Sequence, residues 1–302
     1  MPRPDDHDAR IERARLSLDG LSVGDAFGER FFAPAKQVIA LIQDRTMPRP
    51  PWTYTDDTEM AIGVVEVLDR NGGIDADDLA KTFADRYRMN PERGYGAAAH
   101  EVLQQIGSGV NWRVAAPSLF RGEGSKGNGA SMRVAPVGGY FADDLDRVVD
   151  QARASAAVTH AHPDAQAGAI AIAVAAAWAT THRIDPRAAR GRAMIQFVLD
   201  RTPAGPTHDG IERALALPEL TSPAIAAAAL GTGVNVTSSD TVPWTIWCAA
   251  RHLDDFAECM WTTVSGMGDR DTTCAIAGGI VALAAGRQSI PPAWLAAREV
   301  PR

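Results

Sequence analysis

The stretch Ser265-Gly-Met-Gly-Asp269-Arg-Asp271-Thr272-Thr273-Cys274-Ala-Ile-Ala-Gly278-Gly279-Ile280 places two carboxylates and a hydroxyl within four positions, between flexible glycines and an apolar helix pattern. Far upstream, Thr53-Tyr54-Thr55-Asp56-Asp57-Thr58-Glu59-Met60 repeats the chemistry, with a hydroxyl beside two carboxylates leading into the apolar positions Ile62, Val64, Val65, Val67 and Leu68. Hard divalent cations prefer oxygen ligands, so each cluster reads as half of a magnesium- or manganese-type site. Each also has a simpler reading as a helix cap, because Asp, Ser and Thr are favoured N-caps and acidic first turns suit the helix dipole. Together the two halves say more than either alone. Full charges 4 Å apart repel by roughly 4 kcal/mol at an effective dielectric of 20, so convergence of Asp56, Asp57, Asp269 and Asp271 requires protons or cations. Two divalent ions balance them charge for charge.

A second feature is the segment Gly124-Ser125-Lys126-Gly127-Asn128-Gly129-Ala130-Ser131-Met132-Arg133. Glycines this dense expose backbone amides of the kind that receive a phosphate or pyrophosphate. The spacing is not the dinucleotide fingerprint, and an ordinary loop stays equally open. Thr159-His160-Ala161-His162-Pro163 holds two histidines without companion cysteines or a third nearby histidine, which argues against zinc.

These groups must be positioned by helices. Apolar spacing gives a helix over 8–27 that becomes buried toward its end, a mostly irregular proline-bearing stretch over 33–52, and helices over 56–70, 75–89 and 94–106. A short helical piece over 112–120 precedes the glycine segment, and helices follow over 144–158, 163–181, 186–199, 210–217, 223–230, 242–252 and 254–264. The alanine-rich 163–181 pattern is apolar on nearly every side, as a central helix would be. No strand alternation persists, so the fold class is all-α with no defensible repeat. Residues 1–302 read as a single domain, with 1–8 a flexible tail.

The 302 residues, 46% of them hydrophobic, suffice for a sizeable core. The net charge of −7 provides no general attraction to nucleic acid or anionic membrane. Cys248, Cys259 and Cys274 sit among apolar residues and read as reduced buried thiols, which favours the cytoplasm. The polar start lacks a signal-peptide core, and the longest near-apolar run, 165–179, is too short and weakly hydrophobic to span a bilayer.

The ordered set Gly24-Asp25-Ala26-Phe27-Gly28, Thr55-Asp56-Asp57-Thr58, Gly127-Asn128-Gly129-Ala130-Ser131-Met132-Arg133, Thr159-His160-Ala161-His162-Pro163 and Gly268-Asp269-Arg270-Asp271-Thr272-Thr273 resembles the ADP-ribosylglycohydrolases. The likeness runs from about Leu16 to Gly286. It implies a compact, multi-helix orthogonal bundle with a dinuclear magnesium or manganese cleft. Thr55, Asp56 and Asp57 then correspond to the upstream metal ligands, and Asp269, Asp271 and Thr272 to the downstream ones. Ser125, Gly127, Asn128, Gly129, Met132 and His160 correspond to contacts with ADP-ribose. Gly231-Thr232-Gly233 resembles a further cleft segment. The implied activity is metal-dependent cleavage of the bond between ADP-ribose and an acceptor, with Asp57, Asp271 and Glu29 as the catalytic carboxylates. The implied partner is an ADP-ribosylated protein, nucleic acid or small molecule, and the enzyme is expected to be monomeric.

Two departures stand out. Many members of the family carry a glutamate at the position of Phe32, whereas the carboxylate here is Glu29; and Arg270 separates the downstream aspartates, where small residues are frequent. Arg270 can close the acidic ring or touch substrate. An ADP-ribose-binding regulatory protein, a purely structural relative and a two-metal helical phosphohydrolase are the competing readings.

Overall fold

The computed structural model describes residues 3–183 and 187–302, with side chains from 190 onward in the second stretch. The described residues form sixteen α-helices and two short 3-10 turns, with no strand beyond the isolated bridges Trp52–Arg298 and Gly127–Thr237. In order, the helices are α1 (His7–Glu29), α2 (Ala35–Gln43), α3 (Asp56–Asn71), α4 (Ala76–Met89), α5 (Ala97–Gly107), α6 (Trp112–Gly122), α7 (Ala135–Tyr140) and α8 (Leu145–Ala157). They continue as α9 (Pro163–Thr181), α10 (Arg187–Leu199), α11 (Pro206–Ala216), α12 (Pro223–Leu230), α13 (Ser238–Arg251), α14 (Phe256–Val264), α15 (Arg270–Ala285) and α16 (Pro292–Ala297). The all-α expectation holds.

The most extensive pairing among the described helices joins α1 to α15. Its cause is a seam of small residues. A Cβ added at Gly24 would lie 2.1 Å from the Cys274 carbonyl oxygen, and one at Gly28 would lie 2.2 Å from that of Arg270. Gly20 and Gly278 meet in the same way. Only bare backbone permits this approach, which carries the C-terminal turns of α1 onto the first turn of α15. The central α9 is apolar all round and packs against α7, α8, α10, α13 and α15, as its sequence implied. Its start is fixed by Pro163 at the first helical position and by His162, whose Nδ1 accepts the Asp164 N–H at 3.1 Å.

Several boundaries differ from the sequence reading. Residues 33–52 are irregular over most of their length, but they also hold α2, Ala35–Gln43, behind Pro34, which the sequence reading did not anticipate. α7 and α16 were not anticipated, α11 begins at Pro206 instead of 210, and α13 begins at Ser238 instead of 242. The expected start of a helix at Pro186 lies outside the described residues. α1 begins at His7, inside the stretch expected to be a flexible tail. The buried His7 ring lies 2.8 Å from the Tyr140 hydroxyl through Nδ1 and 3.2 Å from Asp69 through Nε2.

The C-terminal segment after α16 crosses the loop that enters α3. The Trp52 N–H donates to the Ala297 carbonyl at 2.8 Å, and the Glu299 N–H donates to the Trp52 carbonyl at 2.7 Å. Arg93 completes this strap. It holds Glu299 with two 2.8 Å hydrogen bonds, lies over the Tyr54 ring at 4.0 Å, and receives the Asp56 N–H on its own carbonyl at 2.6 Å.

Candidate active site

The two acidic clusters meet. α3 starts at Asp56 with Thr55 as N-cap, its hydroxyl accepting the Asp57 N–H at 3.4 Å. α15 starts at Arg270, behind Asp269. Thr272 Oγ1 on α15 donates to Asp57 Oδ2 on α3 at 3.4 Å, across 215 residues of sequence. Thr55 Oγ1 lies 3.0 Å from the same carboxylate oxygen. The capping reading holds for Thr55 at α3 but not for Asp269, which makes no side-chain cap at α15, and the two helix starts face each other.

Asp25 organises the upstream half. It was quoted in the Gly24–Gly28 motif, but no role was assigned to it. Its carboxylate is fully buried on α1 and accepts the Thr55 N–H at 3.0 Å and the Thr58 N–H at 3.1 Å. The Thr58 hydroxyl bonds the same oxygen, and Thr55 Oγ1 lies 2.9 Å from the other, its single proton shared between Asp25 and Asp57. The signal for Asp25 was a carboxylate framed by glycines in an otherwise apolar helix turn.

The electrostatics show how closely the carboxylates approach. Burial pushes Asp57 well above the usual carboxylate range, and Asp25, Asp271, Asp56 and Asp269 push it further. Asp271 is raised by burial and then by Asp269 and Asp25. Asp56 rises to about 7, from burial and then Asp25 and Asp269, and Asp25 rises to about 6, from burial opposed by its hydrogen bonds. Glu29, half-buried at the end of α1, is raised by burial and next by Asp25.

The donor set suits a hard cation. Asp57 Oδ1 and Asp271 Oδ1 are buried with no hydrogen-bond partner. Such orphaned oxygens are costly unless a proton or cation reaches them. Asp56, Asp269, Thr55 and Thr272 add further oxygens at the same junction. Among the described residues no three His, Cys, Asp or Glu side chains already form a metal cage. The other Asp57 oxygen, Oδ2, is met by the Thr55 and Thr272 hydroxyls. Two cavities of about 670 and 960 Å³ lie outside the junction, and the four aspartates line neither.

The glycine segment borders the downstream half. The two amide hydrogens of buried Asn128 reach Asp269 Oδ2 at 2.7 Å and Thr241 Oγ1 at 3.1 Å. Ser125 Oγ accepts the Gly127 N–H at 3.2 Å. The buried His160 ring lies against the bare backbone of Gly127 and Gly129, so that a Cβ at Gly129 would sit 3.1 Å from Nε2. Nδ1 of His160 is 2.7 Å from Thr159 Oγ1, and burial followed by the Arg133 charge depresses the ring to about 3. Met132 sits in the hydrophobic core beneath this loop. Arg133, also unassigned from sequence, is fully buried there and donates to the carbonyls of Gly129 (3.0 Å) and Ser155 (2.8 Å) and to the Thr159 hydroxyl (2.9 Å). Burial lowers its pKa to about 9. The Gly231–Gly233 segment braces the other side of the acidic loop, where the Thr232 carbonyl accepts the Asp269 N–H at 3.0 Å. Val236, next to it, has φ of 54° and receives the Asn128 N–H on its carbonyl. A β-branched residue there is strained, by about 1–3 kcal/mol.

Arg270 does not close the acidic ring by an ion pair. Its Nη1 donates to the Phe31 carbonyl at 2.8 Å and its Nε to the Gly268 carbonyl at 3.2 Å. The guanidinium lies over the Phe32 ring at 4.4 Å. Phe32 itself is 48% exposed.

The sequence model of the ADP-ribosylglycohydrolase family matches residues 6–301, and the chain belongs to that family. The chain is 28% identical to the ADP-ribosylhydrolase ARH3 of Homo sapiens over 94% of its own length and 88% of that relative. It is 27% identical to the ADP-ribosyl-[dinitrogen reductase] glycohydrolase of Rhodospirillum rubrum, over 98% of this chain and 92% of the relative. The match to ARH3 of Xenopus tropicalis is 35% identical and spans 51% of this chain, about half (46%) of that relative's length. A solved structure described as an ADP-ribosylglycohydrolase-related protein complex shares the fold, with a TM-score of 0.67 and 23% identity over 97% of this chain and 94% of that one.

Proposed function

We propose that the chain is a metal-dependent hydrolase that releases ADP-ribose from an acceptor. The observation that carries this reading is the meeting of Asp57 and Thr272, with an orphaned oxygen on each of Asp57 and Asp271. Family membership supports the hydrolase class.

Thr55, Asp56, Asp57, Asp269, Asp271 and Thr272 would hold two magnesium or manganese ions. When bound, such cations neutralise the carboxylates, orient a sugar diol and lower the pKa of water. The chain's own residues do the rest. The backbone of Gly127 and Gly129, the Ser125 hydroxyl and the His160 ring form the surface for the diphosphate and ribose, with Met132 packed beneath. Because His160 stays neutral, it adds shape and hydrogen bonding without charge. Asp57 and Asp271 supply negative charge beside an anomeric carbon that gains oxocarbenium character as its bond to the acceptor breaks. Glu29, half-buried at the end of α1 with a raised pKa, would exchange a proton with the departing acceptor. Overall, water gives its hydroxyl to the anomeric carbon and its proton to the acceptor, which leaves with the bonding electron pair.

The test is release of ADP-ribose from modified acceptors with and without magnesium or manganese, for the unmodified chain and for Asp57→Ala and Asp271→Ala. The proposal expects cation-dependent release that both substitutions abolish. Full activity in both variants overturns the site. Binding of ADP-ribose without turnover on any acceptor makes the protein a binder instead, and release of phosphate or nucleotide makes it a phosphohydrolase.

A further inference from the structure

We infer that Arg270 selects the acceptor and that the preferred acceptor carries an anionic oxygen group, a carboxylate or a phosphate, next to the glycosidic bond. This rests on the hydrolase reading above.

Arg270 stands between Asp269 and Asp271, and Glu29 is close enough to act on its charge, yet it forms no ion pair among the described residues. Two of its five N–H groups go to the carbonyls of Phe31 and Gly268, and its face rests on the Phe32 ring. The protein therefore fixes the plane of the guanidinium and leaves the Nη2 donors unclaimed. A planar fork of this kind binds a carboxylate or phosphate and repels another guanidinium.

Its position decides which part of a substrate it meets. Asn128 ties Asp269 to the glycine segment on one side of the carboxylates. Arg270, Phe32 and Glu29 lie on the other side, at the end of α1. With ADP-ribose along the glycine segment and its anomeric carbon at the carboxylates, the acceptor extends toward Arg270. Phe32 then acts as the platform under the guanidinium, and Arg270 is the cation that faces the acceptor at this end of the carboxylates.

The experiment compares kcat/KM for substrates sharing one ADP-ribose and differing in the acceptor fragment: carboxylate-bearing, phosphate-bearing, neutral alcohol and guanidinium. The unmodified chain is expected to prefer at least one anionic acceptor over the neutral one by about tenfold and to disfavour the guanidinium; the two anionic arms show which oxyanion is meant. Arg270→Gln should bring the anionic-to-neutral ratio close to one, Arg270→Glu should invert it, and Arg270→Lys should keep part of it. Because Arg270 also supports the Phe31 carbonyl, thermal unfolding of each variant is measured alongside. If the variants do not fold, the preference in the unmodified chain must fall as salt rises from 0.05 to about 0.5 M, as a charge contact does. No anionic preference in the unmodified chain, or an undiminished preference in folded Arg270→Gln or at high salt, overturns the inference while leaving the hydrolase intact. Absence of ADP-ribose release from all four substrates removes both.

Discussion

Asp25 on α1 holds Thr58 on α3 through two contacts, accepting its backbone N–H at 3.1 Å and bonding its hydroxyl as well. With Thr55 added, each hydrogen-bond partner of this buried carboxylate is a donor. Asp25→Asn turns one acceptor into a donor and sets N–H against N–H or O–H. It is expected to cost about 1–3 kcal/mol of stability. It should also weaken manganese binding by about 10- to 100-fold, as the loss of a residue that orients ligands does. Denaturant unfolding and calorimetric titration with manganese check both numbers.

Neutralising a ligand should have opposite effects with and without metal. Asp57→Asn and Asp271→Asn relieve repulsion among buried carboxylates, so the metal-free variants should unfold at the same temperature as the parent or a higher one. Magnesium or manganese at about 100 times Kd should stabilise the parent by about 2.7 kcal/mol and the variants far less. Chelator should reverse the gain. Thermal melts in EDTA and in millimolar cation decide this.

The α1–α15 seam predicts a packing penalty. Gly24→Ala or Gly28→Ala drives a methyl into a carbonyl at about 2 Å and must separate the helices. Each is expected to destabilise the chain by about 1–3 kcal/mol, read from the midpoint of urea unfolding. Since the same seam holds Asp271 beside α1, whose Asp25 anchors the start of α3, metal affinity should fall with it.

His160 is expected to stay neutral across the ordinary working range. Burial holds its folded pKa at about 3, below the ordinary 6.5 of a histidine, so the unfolded chain takes up a proton first as the solution is acidified. Its contribution to stability is complete above pH 6.5 and declines by up to about 1.4 kcal/mol per pH unit between 6.5 and 3. In NMR the His160 ring resonances should not move between pH 5 and 8. A midpoint near 6.5 would contradict the buried geometry.

Val236→Asn should relieve the positive-φ strain beside the glycine segment and raise stability by about 1 kcal/mol. Unchanged or lower stability in denaturant unfolding would show that the Val236 side chain contributes more than its backbone costs.

The parts of the site that were legible in the sequence were those whose side chains had no apolar explanation. Asp56, Asp57, Asp269 and Asp271 stood out because paired carboxylates at two helix starts are a costly arrangement if nothing neutralises them. Asp25 and Arg133 escaped because each is one charged residue in a run that otherwise reads as core, and most of their partners are backbone groups and threonine hydroxyls 22 to 33 residues away. The helix errors share a cause as well. The prolines of 33–52 read as interruptions, although Pro34 is the N-cap of α2; Pro206, Pro291 and Pro292 likewise stand at an N-cap or first helical position, where a missing N–H costs nothing. The orientation of Arg270 was open for a different reason: its charge suggested the aspartates, and only the fold shows the Phe31 and Gly268 carbonyls that hold it away.

The strap through Arg93 and Glu299 also bears on how the chain matures. The loop carrying Thr55 and Asp56 is laid against residues almost 250 positions later, and its counterpart at Asp271 arrives nearly as late. A nascent chain therefore has no complete acidic junction until most of its length has been synthesised, and the start of α3 stays unmatched until then. Loop closure over such distances is slow compared with local helix formation. Cation capture is accordingly expected to mark the end of folding, and a slow manganese-dependent phase in refolding would report the moment at which the two ends lock together.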